Sequence, residues 1–143
     1  MAHVRTTLRD AAITAITGLT TTGSNVYSSR VFALSENKLP CWLVYTNNED
    51  LEPGNMAGKQ IRVIELVCEG VARTVNNNDD TLDLMLEELE TALTLSDLPT
   101  AKSLDLVAVE VEFSDDGDAP FGSVTATFNV EVHTIAGAPG TSV

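Results

Sequence analysis

Apolar residues recur along this chain with two different periods. Val4, Leu8, Ala12, Ile16 and Leu19 step by three or four, the spacing of one helix face, and predict a helix over residues 4–19. Thr6 and Thr7 lower its propensity slightly, and Gly18 weakens its end. Leu82, Met85, Leu86, Leu89 and Leu93 make a second stripe and predict a helix over 80–95, with Asp80 as N-cap and Asp83 three residues on. Glu87, Glu88 and Glu90 occupy its other face and read as a solvated acidic surface.

Elsewhere the period is two. Over 124–135, Val124, Ala126, Phe128, Val130 and Val132 alternate with Thr125, Thr127, Asn129, Glu131 and His133. Over 104–113, Val107, Val109, Val111 and Phe113 take one face and Glu110 and Glu112 the other. Over 61–73, Ile64, Leu66, Cys68 and Ala72 oppose Glu65, Glu69 and Arg73, which share their face with Val63, Val67 and Val71. Residues 41–46 read as a strand apolar on both faces, opened by Pro40, which pushes Leu39 towards an extended conformation. Residues 26–31 suggest a short strand.

Between these elements, residues 47–60 predict a long loop carrying Glu49, Asp50, Leu51, Glu52, the Pro53–Gly54 turn signal and Met56. Loops of that length are usually functional or disordered. The stretch SDDGDAPFG reads as a hairpin turn, and the chain from about residue 136 as a flexible tail. The order helix, strands, helix, two strands predicts a single α+β domain over residues 1–143. In it, a mostly antiparallel sheet of four to five strands carries both helices on one face. The opposite face gathers Glu65, Glu69, Glu110, Glu112 and Glu131, mixed with valines and threonines that invite a partner surface.

Charge narrows the function. Twenty-one acids against 8 Lys and Arg give a net charge of −13, and the basic residues are scattered. Nucleic-acid binding needs a cationic patch to displace counterions from phosphates, so this chain is expected to repel DNA. Repulsion is useful where DNA must pass without sticking. No run approaches the ~18 apolar residues of a membrane span. The start, MAHVRTTLRD, has no apolar segment of the signal-peptide kind. Cys41 and Cys68 fall in apolar runs without metal-ligand spacing and read as reduced core residues of a protein made in a reducing cytoplasm.

Catalytic chemistry finds little purchase. The histidines are His3, near the terminus, and His133, on the polar side of a strand beside Glu131. No nucleophile elbow, phosphate loop or dinucleotide fingerprint occurs. Asp115-Asp116-Gly117-Asp118 lacks the spacing of a calcium loop. Glu65 and Glu69 could be a glycosidase pair, but they are also what a solvated strand looks like. No catalytic residue, metal or cofactor is expected, and an enzyme is not.

A short N-terminal helix followed by VYSSRVFALSENKLPCWLVYTNNEDLE, a long strand, the helix DDTLDLMLEELETAL and two closing strands form a familiar order. The chain up to about Ile135 resembles the tail terminator proteins of long, non-contractile phage tails, the family that includes minor tail protein U of lambda-type phages. The likeness rests on Arg30, Leu34, Leu39-Pro40, the apolar strand to Thr46, the acidic residues 49–52, and the helix over 80–95 after the strand over 61–73. It implies a structural virion protein, assembled in the host bacterial cytoplasm. Such a protein sits as a homo-oligomer, a hexameric ring, between tail tube protein and head connector protein. The ring stops tube growth, forms the head–tail joining surface and lets DNA pass without specific binding. On this reading Glu49, Asp50, Leu51, Glu52 and Met56 are subunit or tube contacts, and Glu65, Glu69, Glu110, Glu112 and Glu131 face the lumen. Two other readings stay open: another neck or tail-tube subunit of related fold, and a small monomeric ligand-binding domain.

Overall fold

A computed structural model of the 143-residue chain describes residues 3–28, 40–54, 58–72, 78–98, 101–114 and 121–143. Arg30, Leu34, Leu39 and Met56, and the turn at 115–120, lie outside the described residues. The elements are α1 (Val4–Ile16), β1 (Val26–Tyr27), β2 (Cys41–Pro53), β3 (Lys59–Ala72), α2 (Asn78–Ala92), β4 (Ser103–Ser114), β5 (Phe121–Ile135) and β6 (Ala138–Ser142). They build an α+β fold with a six-stranded sheet in the order β1-β2-β3-β5-β4, and β6 pairs with β5 beyond β4. Among the described residues all pairs are antiparallel except β1 with β2.

Both helices bury their predicted stripes against one face. Val4, Leu8, Ala12 and Ile16 of α1, Leu82, Met85 and Leu89 of α2, and Leu93 just past its end share a core with Trp42, Val44, Ile64, Leu66, Cys68 and the even-numbered residues Val124 to Val132 of β5. Burying a side chain of this size contributes about 1.5–3 kcal/mol. The His3 Nδ1 atom caps α1 by accepting from the Arg5 N–H at 3.1 Å. The helix ends at Ile16, short of the expected residue 19, because the chain turns through Gly18 at φ 95°, whose N–H donates to the Gly23 carbonyl at 2.8 Å. Asp80 is not an N-cap, since α2 already begins at Asn78. It sits in the first turn, where the helix dipole favours a carboxylate.

Two expectations about irregular segments are corrected. Most of residues 47–60 is not loop: β2 runs on to Pro53, and β3 starts at Lys59. A register shift between Thr46 and Glu49 absorbs the polar Asn47–Asn48 stretch, and Arg62 neutralises Glu49 across the hairpin at 3.1 Å. The segment read as a flexible tail turns at Gly137 (φ 84°) and returns as β6, with the Val143 N–H donating to the His133 carbonyl at 2.8 Å.

A second register shift, between Leu106 and Ala108, changes the phase of β4. Leu104 and Leu106 lie on the helix-bearing face, and after the shift so do Val109, Val111 and Phe113, opposite Ala126, Val124 and Gly122. Val107 is the extra residue and does not share their pairing, contrary to simple alternation.

Candidate functional site

The sheet face turned away from the helices is the feature that collects chemistry. Directly paired residues of an antiparallel sheet point to the same face, so the ladder assigns each carboxylate. Glu65 pairs with Asn129, Glu69 with Thr125, Glu110 with Thr125, Glu112 with Ser123 and Glu131 with Val63, which places all five on this outer face. Three more join them. Asp50 pairs with Val63, Glu52 with Ile61 and Asp105 with Asn129. Asp50 and Glu52 were masked by their assignment to a loop. Asp105 was hidden because its odd separation from Glu110 puts the two on opposite faces until the bulge at Val107 is counted.

The candidate contact residues of 49–52 are therefore split. Asp50 and Glu52 belong to the acidic face, whereas Glu49 and Leu51 pair with Ile64 and Arg62 on the helix side. There Glu49 holds the buried Arg62, which also donates from Nε to Thr134 Oγ1 at 2.9 Å and from Nη2 to Gln60 Oε1 at 3.3 Å. Glu49 is a structural ion-pair partner, and Leu51 stands exposed.

The outer carboxylates differ in environment. Glu65 Oε1 accepts from Asn47 Nδ2 at 3.2 Å, and Glu131 Oε1 lies 2.7 Å from His133 Nε2. His133 is thus tied to a carboxylate rather than simply solvated. Glu69 is pushed above its ordinary carboxylate range, first by burial and then by the negative charge of Glu112. The same face is apolar at its end near β1, where Cys41, Leu43 and Val71 are buried with Tyr27 against them. Val67 and Val71, expected to be half-exposed, are both buried.

Cys41 and Cys68 are free thiols on opposite faces of the sheet, and burial pushes them up to about 11 and about 12. Among the described residues no three His, Cys, Asp or Glu side chains converge as a metal site, and no helix is long and apolar enough to cross a membrane. Glu88, read as solvated, instead clasps the turn after α1: its carboxylate accepts from the Thr21 N–H at 2.9 Å and the Thr21 hydroxyl at 2.5 Å. No local sequence signal announces a contact between residues so far apart.

No family profile matches the chain. No curated protein matches it either. Among solved structures it is similar to a chain of the virion of a native gene transfer agent (GTA) particle, with 16% identity, a TM-score of 0.55 and coverage of 92% of both chains. At that identity the likeness establishes a shared fold over nearly the whole length.

Proposed function

We propose that this chain is a structural component of a virion, and within it the ring that closes the head-proximal end of a phage tail tube. The observation that carries the proposal is the likeness to a gene transfer agent virion chain across 92% of each chain. The family resemblance of the sequence supplies the position. In this reading the chain terminates tube polymerisation, offers the head connector a joining surface and works without catalysis or cofactor.

The acidic face supports a place beside passing DNA. Asp50, Glu52, Glu65, Glu69, Asp105, Glu110, Glu112 and Glu131 share one side of the sheet. A ring lined by it holds duplex off the wall by like charge, so genome transit is not slowed by sticking.

A second reading has the same support from the fold: the likeness is to a chain of a whole particle and not to a position in it, so a neck or tail-tube subunit of related fold accounts for it equally. Gold-labelled antibody on intact particles separates them. Label confined to the head–tail junction supports the terminator or a neighbouring neck ring. Label along the tail favours the tube subunit. Particles free of label would overturn both readings and favour the small ligand-binding domain.

A further inference from the structure

The sheet keeps one long edge open. Among the described residues β4 pairs with β5 alone, so the backbone groups along its other side have no strand partner. The bulge at Val107 interrupts the first part of that edge. From Ala108 to Phe113 the ladder to β5 is regular and every residue stands exposed. Val109, Val111 and Phe113 lie on the helix-bearing side, yet they are 42%, 44% and 51% exposed. The helices pack over β2, β3, β5 and β6 and leave this strand largely uncovered. Glu110 and Glu112 take the outer side. A single exposed valine needs no explanation, but an apolar row along an unpaired edge strand is a surface that folded proteins normally guard.

Charge decides which strand this edge is guarded against. The β5 residues beside Glu110 and Glu112 are Thr125 and Ser123, so that strand brings them no cation. Glu69, which pairs with the other side of Thr125, adds a further carboxylate. Lys102 stands before the start of β4, on the far side of the bulge. A second β4 laid antiparallel on the first sets these glutamates against their own copies, and like charges facing each other across two strands are destabilising. The net charge of −13 opposes the same meeting. A strand carrying Lys or Arg on its outer side is attracted instead. Its other side has to be apolar to cover Val109, Val111 and Phe113. A helix laid on the apolar row leaves the edge backbone unpaired and does not reach Glu110 or Glu112 on the opposite face.

We propose that β4 accepts an added strand, an extended segment of a different protein in which apolar residues alternate with Lys or Arg. The segment pairs its backbone with the open edge over Ala108–Phe113. Its apolar side chains cover Val109, Val111 and Phe113, and its cations stand opposite Glu110 and Glu112. Main-chain hydrogen bonds supply the attachment, and the two unlike rows of side chains fix register and partner. The docking stands on β4 itself. Only the expectation that the segment belongs to another virion component rests on the proposed function.

The test titrates the isotope-labelled full chain with a synthetic peptide of alternating valine and lysine, followed by NMR. The same peptide with glutamate in place of lysine is the control. The lysine peptide is expected to shift the resonances of residues 108–113 and to slow exchange of alternate amides there, and the glutamate peptide to leave them unmoved. The charge-swapped variant Glu110→Lys/Glu112→Lys is expected to bind the lysine peptide about tenfold more weakly and to accept the glutamate peptide. Methylating alternate peptide nitrogens blocks edge pairing, so of the two possible phases one is expected to abolish binding. Both glutamates are exposed, and far-UV circular dichroism checks folding; if the double variant unfolds, Glu112→Lys alone carries the comparison. Strand addition is overturned if residues 108–113 do not respond to millimolar lysine peptide, or if the glutamate peptide binds wild type equally well. It is also overturned if both methylated peptides bind like the parent, which means that the peptide lies on the acidic face and not along the edge. None of these results bears on where antibody labels the particle, so failure of the docking and failure of the virion reading are told apart.

Discussion

The indole of Trp42 occupies the space in which a side chain at Gly70 would stand. The two residues are cross-strand partners, and a Cβ added to Gly70 would lie 2.9 Å from Trp42 Cζ3 and 3.0 Å from Met85 Cε. The glycine thus lets the sheet, the tryptophan and α2 pack together. Gly70→Ala is expected to destabilise the fold by about 1–3 kcal/mol through overpacking. Trp42 is the single tryptophan and is fully buried, so urea unfolding followed by its emission reads the loss as a lower midpoint with an unchanged slope.

The Arg62–Glu49 pair predicts a coupling energy. Both side chains are largely buried, with 9% and 14% of their surface exposed. Arg62→Met leaves Glu49 without its cation, and removing one partner of a buried pair costs about 3–5 kcal/mol. Glu49→Gln is milder. A double-mutant cycle is expected to return a coupling of about 1–3 kcal/mol, and additivity would show that the two act separately.

These two sites also mark what was legible in the sequence. The helix stripes and the alternation of β5 carry their periods in local order, and the structure follows them. The second half of β2 was unreadable because Glu49 is acceptable there only when Arg62, diagonally across on the same face of β3, neutralises it. The strand β6 was unreadable because a short Gly/Pro-containing segment becomes a strand only against β5. Local alternation placed the five glutamates on one face correctly, since their pairing partners share a phase. It missed Asp105 because a bulge, which leaves no period of its own, changes the phase between Asp105 and Glu110. The ring position assigned to that face came from resemblance and not from any residue pattern.

Glu88 predicts a stability contribution at the turn after α1. Its carboxylate holds both the N–H and the hydroxyl of Thr21. Hydrogen bonds to a charged group contribute about 1.5–3 kcal/mol, so Glu88→Ala is expected to lower stability on that scale. Amide hydrogen exchange supplies the local check: Thr21 loses protection in the variant before the sheet does.

The acidic face predicts an unusual pH response. The folded-state value of Glu69 is raised above 4.5 by burial and by Glu112. A raised carboxylate binds its proton more tightly in the folded state than in the unfolded one. Its contribution is therefore fully present below the unfolded value and is lost as pH rises through the folded value. Glu69→Gln is expected to stabilise the protein at neutral pH, with the gain shrinking as pH falls towards 4.5. A gain that grows on acidification would contradict the assignment.

The same face and the net charge of −13 predict no retention of duplex DNA near physiological salt. Gel-shift titration into the micromolar range checks this, and a salt-sensitive complex would contradict it.

The central claim is that this chain ends a tail. Its most direct test is the tail-length distribution, by negative-stain imaging, of particles assembled without it. The account predicts tails that overrun their normal length and fail to join heads. Tails of normal length, or tails short or missing, would contradict it, the first pointing to a neck connector and the second to a subunit of the tube.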